Sequence, residues 1–311
     1  MARHFVSQTD LSPEEVLGVF ELSARMKAGP LVSGELSGRT LVMFFEKTST
    51  RTRLSFEIGM TQLGGHAVYL DRDSSQLSRG ESIADTARVV SRYADLMMAR
   101  VNSHATVFQL AMDATIPVIN GLSDEEHPCQ SMADLFTLWE RRGTVSGSKI
   151  AYVGDGDNNV THSLMLAGAM LGAHVAVASP PELWPQETYV SLAREKAQAS
   201  GGSVQVTSDP REAVTDADVV YTDVWVSMGR EDDRQERTST LVPYRVSADL
   251  VALAKPEFVF MHCLPAHIGE EVTADVAYGP NSVILDEAEN RLHVQKALMS
   301  YLFAQSQGER E

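Results

Sequence analysis

At 311 residues, the chain is longer than one hydrophobic core usually grows, so two domains of roughly 150 residues each are expected. Its 43% hydrophobic and 22% charged residues are those of an ordinary globular protein, and no apolar run reaches the roughly 20 residues that cross a bilayer. A formal net charge of -16 excludes the positive footprint that nucleic acid or an anionic membrane requires, so any local cluster of arginines needs a local reason.

The first ten residues carry Arg3 and His4 but no apolar stretch or small-residue cleavage site, so no secretory signal is read and the cytoplasm is the expected compartment. Apolar runs of strand length then alternate with segments of helical period, the pattern of parallel sheets flanked by helices. The first half predicts strands over 40–45, 67–70, 96–99 and 117–120. An amphipathic helix over 131–142 follows, with Met132, Leu135, Phe136 and Trp139 at helical spacing. It ends at Gly143-Thr144-Val145-Ser146-Gly147, read as a helix stop and linker, which divides the chain into 1–143 and 144–290. The second half predicts strands over 149–153, 174–178, 204–206, 219–222, 258–262 and 282–285, and a last helix over about 291–304. The two cysteines, Cys129 and Cys263, are too few for a disulfide framework.

In open parallel sheets ligands bind at the carboxyl ends of strands, which directs attention to the residues just after each apolar run. After 40–45 come Thr48-Ser49-Thr50-Arg51-Thr52-Arg53 and then a helical pattern. Hydroxyls and arginines at a helix N-terminus suit an anion, because free N–H groups and the positive end of the helix dipole point at it. Arg51 can grip two phosphate oxygens at once. The same residues also suit an ordinary N-cap with a solvated charged face. No Walker sequence is present.

Phe45-Glu46-Lys47-Thr48-Ser49-Thr50-Arg51-Thr52-Arg53 resembles the carbamoyl-phosphate signature of the aspartate and ornithine carbamoyltransferases. The resemblance continues in order through Gln62-Leu63-Gly64-Gly65, Gly80-Glu81-Ser82-Ile83-Ala84-Asp85-Thr86-Ala87-Arg88, His127-Pro128-Cys129-Gln130, Ser227-Met228-Gly229, His262-Cys263-Leu264-Pro265 and Asp286-Glu287-Ala288-Glu289-Asn290-Arg291. It implies an α/β fold of two domains, each a mainly parallel sheet flanked by helices. The first, 1–143 with a C-terminal helix over about 291–311 packing back on it, would bind carbamoyl phosphate, and the second, 144–290, would bind ornithine. The implied reaction moves a carbamoyl group from carbamoyl phosphate to the δ-amine of L-ornithine, giving L-citrulline and phosphate, in arginine biosynthesis. It requires no metal or organic cofactor, and the implied assembly is a homotrimer or a multiple of it.

Carried onto this sequence, the resemblance implies a donor site of Ser49, Thr50, Arg51, Thr52, Gln76, Arg100, His127, Gln130, Cys263, Leu264 and Arg291. Thr52, Arg100 and His127 are the donors expected at the carbonyl oxygen where charge develops, and Gln130 is expected on the carbamoyl NH2. Gln76 lies in a loop that the family offers to a neighbouring subunit. Ser78 stands where relatives commonly have glycine. The acceptor site would comprise Asn159, Asp223, Ser227, Met228 and Cys263, with Cys263 and the Leu264 carbonyl orienting the amine. Relatives commonly read Gly-Asp-Gly-Asn-Asn where this chain has the additional Asp157, which makes Asn158 an alternative to Asn159. Ser227-Met228-Gly229 favours ornithine over other amines, and Arg51, Arg100, His127 and Cys263 together argue against a catalytically silent relative.

Two other readings fail on the residues. Gly154-Asp155-Gly156-Asp157-Asn158-Asn159 lacks the third glycine of a dinucleotide fingerprint, and the next strand ends in Ser179-Pro180 without an acidic residue for a ribose. Zinc on His127, Cys129, His262 and Cys263 lacks a recognised ligand spacing. Because consecutive strand residues point to opposite faces, His262 is not expected to act as a base for Cys263.

Overall fold

The computed structural model describes residues 2–30, 33–73, 75–226 and 234–308. The chain divides into two compact units, 1–136 with 289–311, and 137–288. In the first unit, α1 (Pro13–Ala28) starts at a capping box in which Ser12 and Glu15 satisfy each other's backbone N–H, with Pro13 at the first helical position. Then come β1 (Thr40–Phe45), α2 (Thr50–Gln62), β2 (His66–Asp71), α3 (Ile83–Val90), β3 (Leu96–Arg100), α4 (His104–Asp113), β4 (Val118–Leu122) and α5 (Pro128–Arg142). β1 and β3 are buried almost throughout, which is why their sequences read as unbroken apolar runs. The sheet is parallel with order β2-β1-β3-β4, and Phe5 adds a parallel bridge to Ile119 at the β4 edge.

The second unit contains β5 (Lys149–Val153), α6 (Asn159–Met170), β6 (His174–Ala178), α7 (Glu187–Ser200), β7 (Ser203–Thr207), α8 (Pro210–Val214), β8 (Val219–Tyr221), α9 (Arg234–Leu241), α10 (Ala248–Val251), β9 (Val259–Met261) and α11 (Ala274–Ala277). Its parallel sheet has the order β7-β6-β5-β8-β9. Trp225, Val153, Val220 and Phe260 lie in its core.

The predicted strand over 282–285 is not one. Ser282 makes a single bridge to Phe260, and from Ile284 the chain enters α12 (Ile284–Gly308), with Asp286 and Glu287 in the first turn. A four-residue apolar run fits a strand or a buried helix start equally, and acidic residues at a helix N-terminus decide for the helix. The last helix therefore begins seven residues before the expected 291. It packs on the first unit as anticipated: Lys27 of α1 donates to Asn290 at 2.8 Å, Lys296 to Gln62 of α2 at 3.0 Å, and Tyr301 to Glu15 of α1 at 2.6 Å.

Both sheets reverse their winding once, between β1 and β3 in the first unit and between β5 and β8 in the second. At such a switch point neighbouring connections leave in opposite directions and open a crevice at the strands' carboxyl ends.

Candidate active site

At the switch point of the first unit, Ser49 caps α2, its Oγ accepting the Thr52 N–H at 3.3 Å. Ser49 is thus the N-cap that sequence offered as the alternative to an anion ligand, and the one use does not preclude the other. Thr50 and Arg51 open the helix. Arg100 ends β3, where the pairing with β4 slips by one residue, Ala99 opposite Asn120 but Arg100 opposite Leu122. Such a bulge re-aims the side chain next to it. The unpaired residue is Gly121, where a Cβ would meet the Met98 sulfur at 2.5 Å, so any larger residue would have to displace the Met98 side chain.

Thr52 is the hub of this cluster. Its hydroxyl, 1% exposed, accepts from Arg291 Nη2 at 2.9 Å and from Arg100 Nη1 at 3.5 Å. Both lone pairs are engaged by guanidinium groups, so its O–H is left to donate. Arg291 also donates to Gln130 Oε1, and Gln130 Nε2 donates to Asp134 Oδ1 at 2.8 Å. That second bond fixes the amide's orientation, with Oε1 turned toward Arg291. Arg291 is 3% exposed, so the surface arginine that its helical position allowed is not what the fold makes of it.

His127 is buried, and its pKa is held well below the usual histidine range by burial first and then by the charges of Arg291, Arg100 and Arg51. Three arginines therefore reach one imidazole electrostatically, and that imidazole is neutral near pH 7. Buried like charges repel unless something neutralises them, so the cluster is built for an anion. Gln76 is not part of it. It is exposed on the short 3-10 turn Gln76–Arg79, and among the described residues no hydrogen bond joins its side chain to the others. A cavity of about 720 Å³ elsewhere on this unit, lined by His4, His104, Phe108 and Met112 among others, includes none of the cluster residues.

In the second unit, Asp223 follows β8 and Cys263 follows β9. The Cys263 thiol donates to Asp223 Oδ1 at 3.0 Å, and the same oxygen accepts the Val224 N–H at 2.7 Å. Cys263 is half-buried, whereas Cys129 is buried and its thiol is pushed up to about 12, an inert core group.

The expected opposition of His262 and Cys263 needs correction. β9 ends at Met261, so strand alternation stops short of both residues, and donor atoms of Asp223, His262 and Cys263 lie within 4.8 Å of one another. Yet His262 Nδ1 accepts the Leu264 N–H at 2.9 Å, and Nε2 faces Glu271 Oε1 at 3.2 Å. Both ring nitrogens are engaged, so His262 has no lone pair to offer the thiol. Leu264 adopts φ +60 and precedes a cis proline. A bulky residue in the left-handed region is strained, and the bond from its N–H to His262 is made in that conformation.

Asn158 caps α6, accepting the Thr161 N–H at 2.8 Å, while its Nδ2 donates to Tyr152 at 2.9 Å and to the Asp155 carbonyl at 2.8 Å. The Asn158 amide is taken up by these bonds, whereas Asn159 opens the helix half-buried. Ser227 and Met228 lie outside the described residues. Three partners went unnoticed in the sequence: Asp134, Glu271, and the Arg237–Asp155 ion pair, in which Arg237 also donates to the Trp225 carbonyl at 3.3 Å. Only Asp134 left a signal, four residues after Gln130 on one helix face.

Two parallel sheets, each with polar residues gathered at its switch point, and an arginine-rich pocket wired through a threonine and a glutamine define a transferase of an anionic activated group. The chain belongs to the aspartate/ornithine carbamoyltransferase family: the family's carbamoyl-P binding domain matches residues 3–140 and its Asp/Orn binding domain residues 146–302. Among curated relatives, the ornithine carbamoyltransferase of Pyrococcus abyssi is 54% identical over 96% of this chain and 95% of its own length. The anabolic ornithine carbamoyltransferase of Pyrococcus furiosus is also 54% identical, with the same coverage. The solved structure of the ornithine carbamoyltransferase from Pyrococcus furiosus superposes with a TM-score of 0.92 over 96% of each chain. That of the anabolic enzyme from Campylobacter jejuni, 37% identical, also scores 0.92, over 97% of this chain and 99% of its own.

Proposed function

We propose that this chain transfers the carbamoyl group of carbamoyl phosphate to the δ-amine of L-ornithine, releasing L-citrulline and phosphate, in arginine biosynthesis. The observation that carries the reading is the convergence of Arg51, Arg100 and Arg291 on neutral His127, with Thr52 and Gln130 as hubs, in a chain whose relatives at 54% identity are named ornithine carbamoyltransferases. Residues 1–143 with the C-terminal helix carry the donor site, and residues 144–290 carry the acceptor site.

In this mechanism Ser49, Thr50, Arg51 and Arg291 hold the phosphate. The amine nitrogen attacks the carbamoyl carbon, and the negative charge that develops on the carbonyl oxygen is met by Thr52, Arg100 and the His127 N–H. Gln130 Oε1 takes the carbamoyl NH2. The C–O bond to phosphate then breaks, and the departing phosphate accepts the proton that the amine nitrogen gives up. A neutral His127 suits a donor that is not required to release its proton. Asp223 pairs with the substrate's α-ammonium, Asn159, Ser227 and Met228 contact its amino-acid end, and Cys263 with the Leu264 carbonyl orients the δ-amine.

The same reading carries a homotrimer in the cytoplasm, in which Gln76 serves a neighbouring copy. Leu54 and Ile58 on one face of α2, and Val68 on edge strand β2, are 50%, 44% and 42% exposed, an apolar surface that favours association. Among the described residues no helix is long and apolar enough to cross a membrane. The testing experiment offers purified protein carbamoyl phosphate with ornithine, putrescine, N-acetylornithine and aspartate in parallel. Citrulline from ornithine alone is expected. Product only with another amine would leave the donor site standing and overturn the acceptor assignment.

A further inference from the structure

His127 sits on a turn, 123–127, between β4 and α5, and what holds that turn lies more than a hundred residues away in sequence. Glu126, 3% exposed, accepts the Gln8 N–H on Oε2 at 2.8 Å in a buried setting. Gln8, itself fully buried, accepts the Ser131 hydroxyl on Oε1 at 2.8 Å. One turn of chain on either side of His127 is thus bonded to the same residue. Asn120, in β4 ahead of the turn, donates to the Val6 carbonyl at 2.9 Å and pairs its N–H with the Phe5 carbonyl at 2.8 Å. Within the turn, Ser123 and Glu126 exchange backbone and hydroxyl bonds at 2.9, 3.1 and 3.2 Å.

The electrostatics make Glu126 an unusual choice for a merely structural tie. The facing groups are Asp10 on the amino-terminal turn, Glu125 beside it, and the Ser7 and Gln8 donors. From α4, His104 reaches the turn through Ser123 Oγ at 2.8 Å and through its backbone N–H to Asp124 at 2.6 Å. Among the described residues no lysine or arginine forms an ion pair with Glu126, and burial pushes its carboxyl up to about 7. An apolar or amide side chain would cost less here. The carboxylate is instead spent on the Gln8 N–H and the Ser7 hydroxyl, directly before the residue placed at the substrate.

We infer that Glu126 is a positioning residue for His127: by accepting the Gln8 N–H, its side chain seats the 123–127 turn on the amino-terminal segment and so fixes where the His127 imidazole points. The inference rests on the proposed reading only in placing carbamoyl phosphate at His127. Donors aimed at a developing charge lose their effect steeply with displacement, roughly 100-fold for 1 Å. The acceptor oxygen, rather than the charge, is the working part.

The test compares wild type with E126A, E126Q and E126D at pH 8, measuring kcat, both KM values, thermal stability and the exchange rate of the Gln8 amide. E126A is expected to exchange Gln8 fast, to lose at least 10-fold in kcat/KM for carbamoyl phosphate, and to keep its KM for ornithine within 2-fold. E126Q, which keeps an oxygen in place, is expected to protect Gln8 and stay within about 3-fold of wild type. E126D, one methylene short, should fall between the two and serves if E126A does not fold. An E126A enzyme with unchanged carbamoyl-phosphate kinetics, an equal rise in both KM values, or an E126Q as impaired as E126A would each overturn the inference. Absence of citrulline from wild type itself would overturn the proposed function instead, and the Gln8 exchange rates would still report on the pin.

Discussion

The clusters at the two switch points differ in sign and in wiring. In the first unit three guanidinium groups surround a neutral imidazole, and neutral hubs tie them together: Thr52 accepts from two of them, and Gln130 is locked by Asp134. In the second, the polar groups are a carboxylate and a thiol bonded to each other, with His262 committed to Leu264 and Glu271. A permanent anion rewards a rigid set of cations, since the repulsion stored among them is relieved on binding. An ammonium substrate brings its own positive charge, and a carboxylate whose only side-chain partner among the described residues is a weak S–H donor can change partners at small cost.

The sharpest way to break this contrast is to remove a cation. Arg100→Gln takes away a donor to the carbonyl oxygen and one of the charges acting on His127, and kcat/KM for carbamoyl phosphate is expected to fall about 1000-fold, or roughly 4 kcal/mol. An Arg100→Gln enzyme within 10-fold of wild type would mean that the charge develops elsewhere. On the acidic side, Asp223→Asn should raise the ornithine KM about 100-fold while the carbamoyl-phosphate KM stays within 2-fold, because only the ammonium loses a charged partner. A parallel rise in both constants would erase the division of labour.

His127→Asn sharpens the comparison through pH. With the folded-state pKa held well below the usual 6.5 by burial and by Arg291, Arg100 and Arg51, His127 is already neutral near pH 7, so the rise of activity above it is not its ionisation. The rise of activity with pH comes from the substrate amine, whose pKa near 10 resembles that of lysine. His127→Asn is therefore expected to lower kcat by roughly 30-fold, about 2 kcal/mol, without changing the shape of the profile between pH 6 and 9. Loss of an acid limb near pH 6.5 would assign a titrating role to the histidine.

How legible each cluster was in the sequence follows from the same geometry. Parallel α/β sheets deliver ligand groups at strand ends, so Arg51, Arg100, Asp223 and Cys263 could be located by looking just past apolar runs. At Asn158 capping and ligand binding draw on the same residue types, and the bonds to Tyr152, Asp155 and Thr161 that make it a cap are not legible in the sequence. The run over 282–285 has the composition of a strand and the context of a helix start, and four residues carry too little periodicity to tell. Glu126 and Gln8 could not be paired at all, being 118 residues apart with no periodicity connecting them.

Glu126→Gln carries the smallest expected effect on activity, yet it separates the cost of the buried carboxylate from its use. The carboxyl sits at about 7 in the folded protein because burial outweighs the Gln8 and Ser7 donors, with Asp10 and Glu125 adding to the rise. In the unfolded chain it titrates near 4.3. The folded state therefore binds the proton more tightly. The stability this lends is complete below about pH 4.3 and is lost as pH rises through about 7, up to roughly 4 kcal/mol for a shift of this size. A glutamine cannot ionise. Denaturant titrations are expected to find wild type and Glu126→Gln equally stable near pH 4 and the variant more stable at pH 8.5, with nearly unchanged turnover. A constant offset at all pH values would place the cost in packing rather than in charge.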